Sequence, residues 1–163
     1  MFRRSHFAAS ALALIFSSIA LGTPVSAGGA SPFASLAGSW SGTGTVRFDG
    51  GQSERLKCRG SYTLKNSGAG MGLALRCASA SAKIDLRSML AYQGGRVSGN
   101  WEERTFNASG NLAGRASSSS MTLSIGGGLT GSMSLSFSGS SQSVSIITTG
   151  TGLKGVTIRL RRS

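Results

Sequence analysis

The chain has 163 residues with 17 Lys or Arg against 5 Asp or Glu, a formal charge of +12. Its 25 Gly and 2 Pro exclude a collagen-like repeat, and 39 % hydrophobic residues exclude a disordered tail. The sole histidine, His6, lies near the N-terminus. Everything after it therefore lacks imidazole bases, His-based triads and His-ligated metal or haem.

The first 27 residues read as a signal peptide. Met1 to Phe7 carries Arg3 and Arg4, an apolar run follows from Ala8 to Gly22, and small residues stand at Val25-x-Ala27 before Gly28. The apolar run is short for a membrane span, and no other stretch of about 18 apolar residues follows. Cleavage after Ala27 would leave 136 residues and a charge of +10, enough for one domain with a proper core. The expected location is periplasmic or secreted. Residues 28–37 are expected to form a tail and one helical turn, with Phe33 and Leu36 plugging one end of a single barrel domain over 38–163.

From residue 38 onward the pattern has period two, the signature of antiparallel strands with one wet face. Trp40, Gly42, Gly44, Val46 and Phe48 share the first inner face. Leu56, Cys58, Gly60, Tyr62 and Leu64 share the second, opposite Arg55, Lys57 and Arg59. Leu73, Leu75 and Cys77 follow, then Ala82, Ile84 and Leu86, and then Val97, Gly99 and Trp101. The last sets are Met121, Leu123 and Ile125; Met133, Leu135 and Phe137; Val144 and Ile146; and Val156, Ile158 and Leu160. Turn signals recur every 8 to 12 residues, at Asp49-Gly50-Gly51, Asn66-Ser67-Gly68, Gly94-Gly95, Ser109-Gly110-Asn111, Gly126-Gly127-Gly128, Ser138-Gly139-Ser140 and Gly150-Thr151-Gly152. This spacing predicts an all-β, antiparallel up-and-down barrel of about 8–10 strands, because closure removes exposed edges. Inward glycines suit the sharp bends of such a wall.

Cys58 and Cys77 flank the turn at Asn66, and a hairpin that pairs Lys65 with Gly70 sets them opposite each other. An exported protein favours a structural disulfide here over two buried thiols. Closing a loop of this size stabilises by roughly 3 kcal/mol in the chain-entropy model. A one-residue bulge would ease a direct cross-strand bridge.

The segment Gly38-Ser-Trp40-Ser-Gly42-Thr-Gly44, preceded by Phe33 and Leu36, resembles the opening of the calycin barrels. Lipocalins open with G-x-W after a helical turn, and nitrobindin-like barrels with G-x-W-x-G-x-G. In that family a basic residue after the last strand packs over the tryptophan. Strand parity makes Arg162, near the chain end, the matching partner for Trp40. The resemblance implies a lipocalin-like barrel with Gly38, Trp40, Gly42, Gly44 and Arg162 at its closed end. Nitrobindin-like proteins that hold haem use a late histidine, which this chain lacks, so no cofactor is expected.

Catalytic patterns are absent. Glu102 and Glu103 are adjacent on a strand and point to opposite faces, so they cannot flank one bond as a glycosidase pair. The expectation is a barrel that is not an enzyme and holds no metal. Its leading function would be to bind a small apolar or amphipathic ligand, with Leu73, Leu75, Leu86, Trp101, Leu123, Met133 and Phe137 lining the lumen, unless these simply fill it. The alternative is an envelope-associated protein acting through a basic outer face of Arg47, Arg55, Lys57, Arg59, Lys65, Arg76, Lys83 and Arg87 on anionic lipid, lipopolysaccharide or polysaccharide. Nucleic acid is disfavoured, because aromatic side chains that would stack bases are missing from that face.

Overall fold

The computed structural model describes residues 30–150 and 152–163. The expected signal peptide lies outside these residues, as does Thr151. A short helix, α1 (Phe33–Leu36), precedes ten strands: β1 (Gly38–Phe48), β2 (Ser53–Lys65), β3 (Gly70–Ala78), β4 (Lys83–Gln93), β5 (Arg96–Glu103), β6 (Ala108–Ala116), β7 (Ser120–Gly127), β8 (Thr130–Ser138), β9 (Ser141–Thr149) and β10 (Leu153–Arg162). Each strand pairs antiparallel with the next, and β10 returns to β1, so the sheet closes on itself.

The alternation of the sequence becomes the alternation of burial. Leu56, Cys58, Gly60 and Tyr62 are buried on β2, while Arg55, Lys57, Arg59 and Ser61 between them are exposed. Two inner-face glycines show how tightly the wall bends. A Cβ on Gly42 would lie 2.0 Å from the Arg159 carbonyl oxygen, and one on Gly44 would lie 2.5 Å from that of Thr157. No side chain fits there, so β1 and β10 close only because these positions are glycine.

Several details differ from the sequence-based expectation: Leu64, expected on an inner face, is exposed at the tip of β2, and Ala82 lies just before β4. Ser109-Gly110-Asn111 is not a turn but lies within β6, where Gly110 pairs with both Trp101 and Gly127. The chain turns instead over residues 104–107, where Asn107 takes φ 51°, and again over 117–119. Gly110 is an inner-face glycine in a crowded wall, which looks like a turn signal in sequence alone. The eased bridge between the cysteines is not needed either. The β2–β3 ladder runs without a shift from Lys57↔Ala78 to Lys65↔Gly70, with Cys58 directly opposite Cys77 and bonded to it.

Candidate functional site

The two ends of the barrel are built differently. At one end, α1 lies across the opening, and Phe33 and Leu36 are fully buried. Trp40 is 1 % exposed, and its Nε1–H donates to the Leu36 carbonyl at 2.8 Å. The Arg162 guanidinium lies 4.5 Å from the centre of the Trp40 ring. It also donates through Nη1 to the Ala37 carbonyl, and through Nη2 to that of Ser35 at 2.7 Å. Stacking and hydrogen bonding together thus tie the last strand to the plug. Gly38 adopts φ 120°, and a Cβ there would sit 2.9 Å from Arg162 Nη1. The glycine both permits the backbone turn and leaves room for the guanidinium.

Tyr62 packs edge-on to Trp40, with ring centroids 6.4 Å apart, and its hydroxyl donates to Gln142 Oε1 at 2.8 Å across the interior. Burial pushes its phenol up to about 12. Gln142 Nε2 is buried without a partner among the described residues. Met71, Val97 and Met121 complete the packing of this closed end.

Among the described residues the opposite end has no such plug. Phe48, Ile84, Leu86, Met133, Ile146 and Leu153 are only partly buried, packed against the core without being covered. Three inward polar groups stand among them. Glu54 Oε1 accepts a hydrogen bond from the Ser81 hydroxyl at 2.5 Å, and its Oε2 is shielded from solvent. Bonding to Ser79 and Ser81 holds this carboxyl below the usual range. Glu103 accepts from the backbone amides of Asp85 at 2.7 Å and Phe106 at 2.6 Å. Thr148 donates to the Leu153 carbonyl. This is a rim of half-covered apolar surface with carboxylates facing in.

Of the side chains expected to line a lumen, Leu75, Trp101, Leu123 and Phe137 belong to one continuous buried cluster. Leu73, Leu86 and Met133 are partly buried against it, and of these Leu86 and Met133 lie in the open half. Trp101, also in the open half, donates its Nε1–H to the Gly126 carbonyl at 3.2 Å.

On the outside, Arg47, Arg55, Lys57, Arg59, Arg76 and Lys83 are exposed, and Lys65 stands apart at the closed-end tip of β2. Arg76 and Arg87 are partly neutralised, since both reach Asp85, at 3.5 and 3.2 Å. Arg104 lies 4.0 Å from the same carboxylate. Sequence reasoning confined the basic face to the first strands and missed Arg159 and Arg161, which closure places beside β1. Their outward parity on β10 was the signal available. Among the described residues no cluster of three or more His, Cys, Asp or Glu could hold a metal ion.

No family model matches the chain. A search of curated proteins returned no match either. Solved structures do match. Rv2717c from M. tuberculosis superposes with a TM-score of 0.65 at 16 % identity, over 80 % of this chain and 94 % of that one. The S-type phycobiliprotein lyase CPES from Guillardia theta superposes with a TM-score of 0.56 at 13 % identity, over 80 % of this chain and 90 % of that one. These likenesses concern the fold, a closed antiparallel barrel. They correct one expectation. The lack of catalytic patterns suggested that the chain is not an enzyme, yet a barrel of this shape is a lyase, so that conclusion does not stand.

Proposed function

We propose that the protein is an exported, calycin-like barrel that takes a small apolar or amphipathic ligand at its open end. The observation that carries this reading is the contrast between the ends. Partly covered apolar side chains gather opposite the plug, at Phe48, Leu86, Met133 and Ile146. Small-molecule sites combine apolar walls with a few polar groups that orient the ligand. Here the inward Glu54 carboxylate suits a ligand whose polar end donates hydrogen bonds. Export is supported by the Cys58–Cys77 bond, which persists in oxidising compartments. Among the described residues no helix is long and apolar enough to cross a membrane.

Fluorescence titration with an apolar naphthalene probe tests the reading, because the chain has only two tryptophans, one toward each end. Probe binding is expected to quench Trp101, so a Trp40→Phe variant keeps the signal and a Trp101→Phe variant loses it. Met133→Glu is expected to weaken binding. Quenching that follows Trp40 instead, or a probe that ignores Met133→Glu, would refute the open-end site.

A further inference from the structure

Barrel closure creates a surface that the linear sequence does not display. The outer face of β1 carries only short hydroxyl side chains between Gly38 and Val46: Ser39, Ser41, Thr43 and Thr45. Its neighbours on both sides carry long cations at matching positions. Ser41 stands between Arg161 on β10 and Arg59 on β2, and Thr43 stands between Arg159 and Lys57. Thr45 is flanked by Thr157 and Arg55. Neighbouring strands are about 4.8 Å apart, so the two walls of cations stand roughly 10 Å apart over a hydroxyl floor. Open concavities occupy both sides of β1, and Ser41 and Thr43 line each of them. Among the described residues none of these five cations forms an ion pair, whereas Arg76, Arg87 and Arg104 share Asp85.

We infer that this trough on β10–β1–β2 binds a linear acidic polysaccharide, with its anionic groups between the two walls and its hydroxyls on the Ser/Thr floor. The inference is independent of the open-end site, since these residues face outward. The shape favours a polymer chain over a bilayer. A planar headgroup surface would reach only the tips of the arginines and leave the recessed hydroxyls untouched. It also disfavours single-stranded nucleic acid, because the trough offers no aromatic platform for bases. Arginine donors in a fork, flanked by hydroxyls, match carboxylate and sulfate oxygens.

The test is calorimetric titration at low salt with polygalacturonate, with neutral dextran, phosphatidylglycerol vesicles and oligo-dT as the comparison ligands. The parent is expected to bind polygalacturonate, to ignore dextran, and to bind vesicles and oligo-dT more weakly. Added salt should weaken the binding. An Arg159→Gln/Arg161→Gln variant is expected to lose about tenfold or more, without a change in melting temperature. The control is Arg96→Gln/Arg115→Gln, which removes the same charge from a directly paired site on β5 and β6. It is expected to bind within about twofold of the parent. An equal loss in the control would reduce the effect to net charge and overturn the trough. Tighter binding to vesicles or oligo-dT than to polygalacturonate would overturn the choice of partner.

Discussion

The closed and open ends of this barrel are made from the same ten strands and the same alternation, yet among the described residues only one is plugged. At the closed end each part is held by more than one contact. Trp40 is buried, hydrogen-bonded to Leu36, flanked by Tyr62 and covered by Arg162. At the open end the polar groups serve their own loops. Glu103 accepts from Phe106, Glu54 from Ser81, and Thr148 donates to Leu153. Phe48, Ile84, Leu86, Met133, Ile146 and Leu153 near them remain half-covered. A sheet can therefore be closed all the way round and cross-linked by a disulfide while only one of its ends is capped, which leaves the apolar rim of the other free to meet a partner.

The comparison breaks most visibly at Trp40. Trp40→Ala removes a fully buried aromatic and should cost about 3–5 kcal/mol in chemical denaturation. Phe48→Ala, at the half-covered rim, should cost less than half as much. Equal losses would mean that the two ends are equally packed.

The disulfide sharpens the picture, because it ties β2 to β3 independently of the plug. Replacing both Cys58 and Cys77 with Ser should lower stability by roughly 3 kcal/mol. Alkylation of unreduced, denatured protein should label neither cysteine, and two labelled thiols would remove this tie.

The Tyr62 phenol adds a pH signature specific to the closed end. Its folded pKa of about 12 lies above the ordinary 10.0, so the folded state keeps its proton longer than the unfolded one. Stability should then be insensitive to this group below pH 10 and fall between pH 10 and 12, by about 2–3 kcal/mol in all. In Tyr62→Phe that alkaline loss should largely vanish, and a loss of equal size would assign it to other groups.

The smallest effect is expected at Arg162. Arg162→Ala should cost about 1–2 kcal/mol through the lost stacking on Trp40. Arg162→Lys should recover part of this, since an ammonium keeps the charge but not the two-pronged reach to Ser35 and Ala37. An Ala variant that melts like the parent would show that α1 holds the end unaided.

Much of this arrangement could be read along the chain. Alternation over 54–65 and 71–79, with polar Asn66 and Ser67 between, was enough to set Cys58 against Cys77, because hairpin register follows from the turn. The G-x-W segment and the parity of Arg162 placed the closed end. What escaped were features that depend on closure or that interrupt an apolar pattern. Arg159 and Arg161 lie more than 100 residues from Lys57 and Arg59 in sequence and meet them across β1 only when the sheet closes. Glu54, Ser88 and Gln142 occupy inward positions, where polar side chains interrupt the apolar alternation that marks an inner face. Whether inward side chains fill a barrel or line a cavity depends on how sharply the wall bends at positions such as Gly42, and alternation carries no record of that bend.

Amide hydrogen exchange with and without the naphthalene probe tests the central claim most directly, since it reads both ends in one experiment. Ligand taken up at the open end should protect the tips at 49–52, 79–82 and 104–107, and leave those at 66–69, 94–95 and 139–140 unchanged. Protection confined to the second set, or spread evenly over both, would contradict an open end built to receive a ligand.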